Sequence, residues 1–279
     1  MHITKAIITA AGQDQSQLPL QTVVDRRGTV RTALQLLLDE VIAAGIEEVA
    51  VVIQPGTAEA YRAAAAAQAQ RLTFFEQSEP RGYGDALLRA RSFTGAEPFL
   101  HLVSDHLYVS RNGESCAKQL LDVARREQCS VSAIQATREN QLAYFGAIGG
   151  SPVPRQSGLF EVNKVLEKPT PTVAEQQLMV AGQRAGHYLC LFGMHVLTPH
   201  VFELLAENVH QLADGQNANL SAALDRLAQS QRFLATELQG LRYNIGEKYG
   251  LLTAQLAIAL SGEDRDYVLT ELLELVARN

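Results

Sequence analysis

The sequence predicts an α/β fold with a mostly parallel central sheet and helices on both of its faces. Three observations carry that expectation. Short apolar runs alternate with segments of helical spacing through the first half of the chain, and such alternation needs crossover connections that lay helices over a parallel sheet. The first apolar run, residues 6–9, leads straight into Ala10, Ala11 and Gly12. Small residues there let a ligand reach backbone N–H groups beyond the carboxyl end of a strand, where open α/β sheets bind their ligands. Finally, the chain beyond Pro199 is largely apolar at helical spacing, which places helices at the C-terminal end.

Each element has its own signal. TALQLLLDEVIAAG (32–45) repeats apolar residues at helical spacing and stops on glycine. EEVAVVIQPG (47–56) reads as a strand closing in a turn, the alanine-rich stretch 58–70 as a helix, and RLTFFEQ (71–77) as a third strand. A helix over 83–92 precedes PFLHLVSD (98–105), a fourth strand ending on Asp105. A helix over 114–127 and the strand CSVSAIQAT (129–137) complete the alternation. Beyond Arg138 the segments YFGAIGG, LFEVNKVLEKP and GHYLCLFGMHVL are extended, with SPVPRQSG as a hairpin tip. HVFELLAENV, ANLSAALDRLAQ, EKYGLLTAQLAIAL and DYVLTELLELVAR read as helices, with FLATELQ as one more strand. No repeat or composition break divides the chain, so a single domain over residues 1–279 is expected.

Composition narrows the function classes. Hydrophobic residues make up 47% of 279, enough for a full core, and 19% charged residues argue against disorder. A net charge of −6 with no basic block excludes nucleic acid as a partner, because phosphate-backbone binding needs clustered cations. The three cysteines, Cys116, Cys129 and Cys190, are odd in number and far apart. They point to buried apolar roles in a reducing compartment rather than to disulfides or zinc. No leader-like segment or bilayer-length apolar run is present, so a cytoplasmic protein without a membrane partner is expected. The C-terminal helices are apolar enough either to form the interface of a homo-oligomer or to pack back on the sheet.

The order of KAIITAAG, VVDRRG, LLLDEVIAAGIEEVAVV, EQSEPRGYGDALLRAR, PFLHLVSD, VLEKP, GMHVLTPHVFELL and RYNIGEKYG resembles the bacterial UTP–glucose-1-phosphate uridylyltransferases, a branch of the sugar-phosphate nucleotidyltransferases. The resemblance implies a three-layer α/β/α, Rossmann-like nucleotidyltransferase fold with a mixed sheet. Residues 1–138 would form a nucleotide-binding half, 139–245 a sugar-binding half, and 246–279 C-terminal helices. The implied reaction is attack of glucose 1-phosphate on the α-phosphorus of UTP, giving UDP-glucose and pyrophosphate with Mg²⁺. Such chemistry needs no covalent nucleophile, only positioning and charge neutralisation around the phosphates.

Residue by residue, the resemblance gives Asp105 the metal and Lys168 the sugar phosphate, both as catalytic groups. It gives Ala10, Ala11, Gly12, Gln77 and Gly82 the nucleotide, with Gln77 bonding uracil. Gly146, Glu167 and Lys168 take the sugar. His101 and His106, near Asp105, open a weaker alternative of a transition-metal site.

The departures fall on charges. Where the family continues G-x-G-T-R, this chain has Asp14 at the second glycine and Ser16 at the arginine, and the following lysine-bearing segment is missing. Asn244 stands in NIGEK where the family carries its second metal carboxylate, so Mg²⁺ dependence should be weak or substrate-borne. The acidic helix entry of the family is here NANLSA, with Asn217, Asn219 and Ala222. Arg26, Arg27 and Arg31 are candidates to compensate, against a plain reading as a solvated loop. Two functions follow: a uridylyltransferase-type enzyme, or a catalytically impaired relative that binds a nucleotide or UDP-sugar as a sensor or partner subunit. A dinucleotide-dependent oxidoreductase is excluded by the absence of G-x-G-x-x-G after the first strand.

Overall fold

The computed structural model describes residues 1–13, 15–212 and 216–278; Asp14 lies outside them. The first strand, β1 (Lys5–Thr9), alternates its side chains between two cores, Ala6 and Ile8 on one face and Ile7 on the other. A strand that buries both faces must sit inside the sheet. A short hairpin follows that the sequence pattern does not announce, β2 (Thr22–Val24) with β3 (Val30–Thr32). Asp25 closes its tip, its Oδ1 accepting from the Arg27 and Thr29 N–H groups at 2.9 Å each. Helix α1 (Ala33–Ala43) starts on a capping box between Thr32 and Gln35, an arrangement worth roughly 1 kcal/mol.

Beyond β4 (Glu48–Ile53) the helix α2 (Ala58–Ala65) is shorter than the expected 58–70. Ala66 takes φ = +49°, a left-handed value through which a right-handed helix cannot continue, and a 3₁₀ turn carries the chain to Arg71. After β5 (Leu72–Glu76) the expected 83–92 helix divides into α3 (Tyr83–Arg89) and α4 (Arg91–Thr94). Next come β6 (Phe99–Val103), β7 (His106–Ser110) and α5 (Cys116–Glu127), the last capped by Ser115 Oγ, which accepts from the Lys118 N–H at 3.1 Å. The second half runs β8 (Ser130–Arg138), β9 (Ala147–Pro152), β10 (Leu159–Leu166), α6 (Pro171–Gln177), β11 (His187–Leu197), α7 (His200–Gln211) and α8 (Leu220–Ser230). It closes with β12 (Phe233–Glu237), β13 (Gly240–Asn244), α9 (Gly250–Leu260) and α10 (Arg265–Ala277).

The main sheet has nine strands in the order β5-β4-β1-β6-β11-β8-β12-β10-β9. Tracing the pairings, β11 and β10 run against the other strands, so seven of the nine point one way. The sheet is therefore mixed and mostly parallel. Helices α1, α2, α5 and α9 bury Leu37, Leu38, Tyr61, Leu121 and Ile258 against one face. Helices α3, α7 and α8 bury Leu87, Phe202, Leu205 and Leu224 against the other. That is the expected three-layer α/β/α arrangement. Outside the main sheet, β7 and β13 form an antiparallel ribbon, with Arg242 opposite Tyr108 and Asn244 opposite His106. Helix α10 buries no side chain and exposes Tyr267, Leu273 and Val276. The three cysteines are buried and unbridged, and among the described residues no helix is long and apolar enough to cross a membrane.

Glu40, on α1, ties this face together by accepting from the Ala117 N–H at 2.7 Å. Burial pushes its carboxyl up to about 7, against the Ala117 and Cys116 N–H groups and the Arg26 charge, which pull it down. The folded pKa lies above the ordinary value of 4.5, so the folded state binds the extra proton. The associated stability is present below pH 4.5 and lost as pH rises through about 7. Glu40→Gln keeps an acceptor oxygen and removes the titration. It is expected to match wild type in thermal melts at pH 4 and to melt about 2–5 °C higher at pH 8. Equal shifts at both pH values would refute this reading.

Candidate active site

The strands β1, β4, β5 and β6 end at one edge of the sheet, and the loops beyond Thr9, Ile53, Glu76 and Val103 converge there. A cleft opens at this edge in two lobes. The first, of 630 Å³, is bordered by Gly12, Gln77, Gly82, Tyr83, Glu167 and Asn217. The second, of 720 Å³, is bordered by Phe145, Arg242, Asn244, Glu247 and Lys248. Gln15, Asp105, His106, Tyr144 and Lys168 line both and so mark the junction.

The loop after β1 is a folded turn, with the Gln15 and Ser16 N–H groups donating to the Gly12 carbonyl at 3.1 and 2.9 Å. Tyr61 Oη supports it from below, donating to the Ser16 carbonyl at 2.7 Å. One expectation changes here. Ala10 borders neither lobe. Its N–H continues the sheet ladder to the Val52 carbonyl at 2.7 Å, and it is buried, so it belongs to the floor beneath the loop. Ser16, at the position of the family's arginine, is also buried. The side chain that leaves this loop for the cleft is Gln15, whose Nε2 donates to Asp105 Oδ2 at 3.0 Å.

Asp105 stands in the two-residue link between β6 and β7. Its Oδ1 lies 2.8 Å from His106 Nδ1. Burial pushes its carboxyl upward, but the charge and hydrogen bond of His106, the backbone N–H and the Lys168 charge outweigh that and hold it below the ordinary range. Asp105 is therefore an anion at neutral pH with both oxygens engaged. Asn244, across the β7–β13 ribbon, accepts the Gly246 N–H on its Oδ1 at 2.9 Å. Among the described residues no group of three or more His, Cys, Asp or Glu is arranged to hold a metal. One carboxylate and one neutral oxygen, each already bonded, do not make a resident Mg²⁺ site, since Mg²⁺ yields its water reluctantly and relies on carboxylates with substrate phosphates.

His101 has no part in a metal site either. It is buried in β6, with its ring 3.3 Å from Thr9 Oγ1 and 3.2 Å from Tyr83 Oη, stacked at 5.7 Å on His195. Burial, with the neighbouring His195, lowers it well below the usual histidine range, and burial lowers His195 to about 3. Both rings stay neutral and act as satisfied core groups.

Gln77 leaves β5 with its amide held. Nε2 donates to the Gly82 carbonyl at 3.1 Å and to Asp85 Oδ2 at 2.7 Å. What it can offer a ligand is its Oε1 acceptor. Gly82 adopts φ = +97°, and a Cβ there would meet the Ala218 carbonyl oxygen at 2.6 Å. Only glycine lets the 80–84 turn lie against the 217–218 segment, where Arg81 and Gly84 exchange backbone bonds with Ala218 at 2.8 Å. Asn219 caps α8 by accepting the Ala222 N–H at 2.7 Å.

On the far wall Ser221 Oγ donates to Glu167 Oε2 at 2.6 Å. Gly146 borders neither lobe but backs this pair, since a Cβ on it would lie 2.9 Å from Ser221 Oγ and 3.2 Å from Glu167 Oε2. Lys168 has φ = +43°. A non-glycine residue in the left-handed region costs on the order of 1 kcal/mol or more and concentrates at functional sites. Arg26, Arg27 and Arg31 line a separate 540 Å³ cavity beside Glu40, and none of them borders the cleft. They do not replace the missing loop cations.

Gln15 and Arg242, and Ser221 behind the wall, are polar groups that sequence reading passes over, and His106 is named there only for a transition-metal site. Arg242 is 6% exposed, with its Cζ 3.9 Å from the centre of the Phe145 ring.

A cleft at the carboxyl edge of a doubly covered, mostly parallel sheet is the form of a nucleotide-handling α/β protein. The chain belongs to the nucleotidyl transferase family, whose model matches residues 23–260. It is a divergent relative of the UTP–glucose-1-phosphate uridylyltransferases. It is 27% identical over 285 residues to that protein of Streptococcus pneumoniae, covering 92% of this chain and 91% of the relative. It is 29% identical over 287 residues to one from Streptococcus pyogenes, covering 92% and 89%. A UDP-glucose pyrophosphorylase solved with UDP-glucose shares the fold at a TM-score of 0.75 with 24% identity, over 92% of this chain and 98% of that one. The UTP-bound enzyme of Acinetobacter baumannii aligns with a TM-score of 0.75 at 20% identity, over 98% and 99%.

Proposed function

We propose that the chain transfers a uridylyl group between UTP and glucose 1-phosphate. The observation that carries this reading is the convergence of Gln77, Gly82, Asp105, Glu167 and Lys168 on one lobe. The base lies between Gly12 and Gly82, with its N–H donating to Gln77 Oε1, as the imide of uracil does. The sugar lies against Glu167, which Ser221 orients. The Lys168 ammonium holds the sugar phosphate, and its strained backbone fixes the direction of its side chain.

In the reaction an oxygen of the sugar phosphate forms a new bond to the α-phosphorus, and the bond from that phosphorus to the bridging oxygen of the leaving pyrophosphate breaks. No proton moves, so the work of the site is alignment and neutralisation of charge. Asp105, an anion facing phosphates, is repulsive without a cation between them. Mg²⁺ therefore enters as part of the nucleotide substrate and not as a resident ion.

A second reading, binding without turnover, is favoured by one observation: Asn244 offers no charge beside Asp105. Pyrophosphate release measured over pairs of nucleoside triphosphates and sugar 1-phosphates, with thermal shifts for the same ligands, separates the two. The enzyme reading expects release with UTP and glucose 1-phosphate together and not with either alone. Stabilisation by UDP-glucose without release would leave only the second reading.

Gly82→Ala tests the base wall. The new methyl meets backbone, not a flexible side chain, so the 80–84 turn must leave the 217–218 segment. UDP-glucose affinity measured by calorimetry is expected to fall about 10-fold or more. An unchanged Kd would remove Gly82 from the site.

A further inference from the structure

The β7–β13 ribbon carries buried polar atoms that have no partner among the described residues. Five buried side-chain polar atoms lack a hydrogen-bond partner among the described residues, and three of them are His106 Nε2, Arg242 Nε and Arg242 Nη1. The ribbon register puts His106, Tyr108, Arg242 and Asn244 on one face, where His106 and Arg242 border the second lobe. Arg242 donates to Thr137 Oγ1 through Nη2 at 3.4 Å, and Phe145 covers its plane. Its carboxylate neighbours in the lobe are Asp105, already paired with His106 and Gln15, and Glu247, which acts on it through charge alone and gives it no hydrogen bond. A guanidinium carries five donors, and leaving a buried charge without a counter-charge is among the costliest arrangements in a protein.

We infer that the Arg242 lobe is an anion subsite that takes the pyrophosphate end of the ligand, with Arg242 as its fixed cation and Lys248 at its mouth. The inference rests on the uridylyl-transfer reading only for the identity of the anion. It supplies from the ribbon the positive charge that the loop after β1 lacks. Lys168 and Asp105 stand where the two lobes meet, so a nucleotide whose base lies by Gln77 and whose α-phosphate lies by Lys168 points its remaining phosphates into this lobe. Phe145 lines the lobe and covers the face of the guanidinium; Nε and Nη1 donate in its plane and are buried, so an anion reaches them only with a shift of the surrounding side chains. Pairing with the anion then relieves the uncompensated charge.

The test is calorimetric titration of inorganic pyrophosphate, without nucleotide or metal, into wild type, Arg242→Met, Arg242→Lys and Lys248→Ala, with thermal melts of each. Pyrophosphate is expected to bind wild type, to bind Arg242→Met about 10- to 100-fold more weakly, and to bind Arg242→Lys in between. Lys248→Ala changes an exposed side chain and should weaken binding a few-fold. Without pyrophosphate, Arg242→Met is expected to melt no lower than wild type, because replacing an unpaired buried charge by an apolar chain of similar length is neutral or stabilising. Equal affinities in all four proteins, or no binding to wild type, overturns the subsite. So does a lower melting temperature for Arg242→Met with unchanged affinity, which marks a packing role against Phe145. If Arg242→Met does not fold, Arg242→Lys and Lys248→Ala decide alone. Pyrophosphate binding without any uridine nucleotide binding would leave the subsite standing and remove the uridylyl-transfer reading.

Discussion

Asp105→Ala is expected to lower uridylyl transfer by about 10³-fold or more, the largest effect of any single change in the cleft. Among the described residues, Asp105 is the one carboxylate at the junction of the two lobes, and Gln15 and His106 both hold it. Its removal takes away the negative charge that a nucleotide-borne cation meets and leaves two donors unpaired. The cost in stability is smaller and has a definite pH dependence. The folded pKa of Asp105 lies below 3.8, so its contribution is present above that value and lost as pH falls through the folded pKa. Wild type should melt higher than the variant at pH 7, and the gap should close in acid. Pyrophosphate-release rates within tenfold of wild type would take Asp105 out of the reacting centre.

The second large effect is a gain. Asn244→Asp is nearly isosteric, and an aspartate oxygen still accepts the Gly246 N–H. It sets a second carboxylate on the β13 strand opposite His106, beside Asp105. Without a cation the two charges repel and one carboxyl is pushed up, so the variant should melt a few degrees below wild type in chelator. Mg²⁺ should restore that loss, and nucleotide affinity should rise about 10-fold or more on adding Mg²⁺ to the variant, against a change of a few-fold for wild type. Titration of UTP with and without Mg²⁺ into both proteins measures this. An equally strong Mg²⁺ effect in wild type would show that Asn244 suffices as it stands.

What could be read from the sequence follows local physics. Strands such as AIIT and the helix of TALQLLLDEVIAAG declare themselves through periodicity and a glycine stop, and the structure has them within a few residues. Gln77, Gly82, Asp105, Glu167 and Lys168 were singled out through the resemblance, and each stands at a strand end or in the loop after it, where the topology of the sheet brings such positions to one cleft. Gln15 was hidden, since its relevance depends on how the loop turns back over Gly12. Arg242 and Ser221 were hidden for a different reason. Each is a lone polar residue in an ordinary strand or helix, and only burial against Phe145 or Glu167 gives it meaning. The α2 break at Ala66 escapes any propensity argument, because alanine favours a helix on both sides of it. Ala10 shows the opposite failure: a small residue beside a ligand loop whose backbone is already spent on the ladder.

The central claim is that this cleft holds a uridine nucleotide sugar between Gln77 and Lys168. Calorimetric titration of UDP-glucose against ADP-glucose tests it most directly. The account predicts saturable binding of UDP-glucose, at least tenfold tighter than ADP-glucose by the discrimination a bonded base edge affords, and loss of that binding in Lys168→Ala. Equal affinity for the two nucleotide sugars, or UDP-glucose binding that survives Lys168→Ala unchanged, would contradict it.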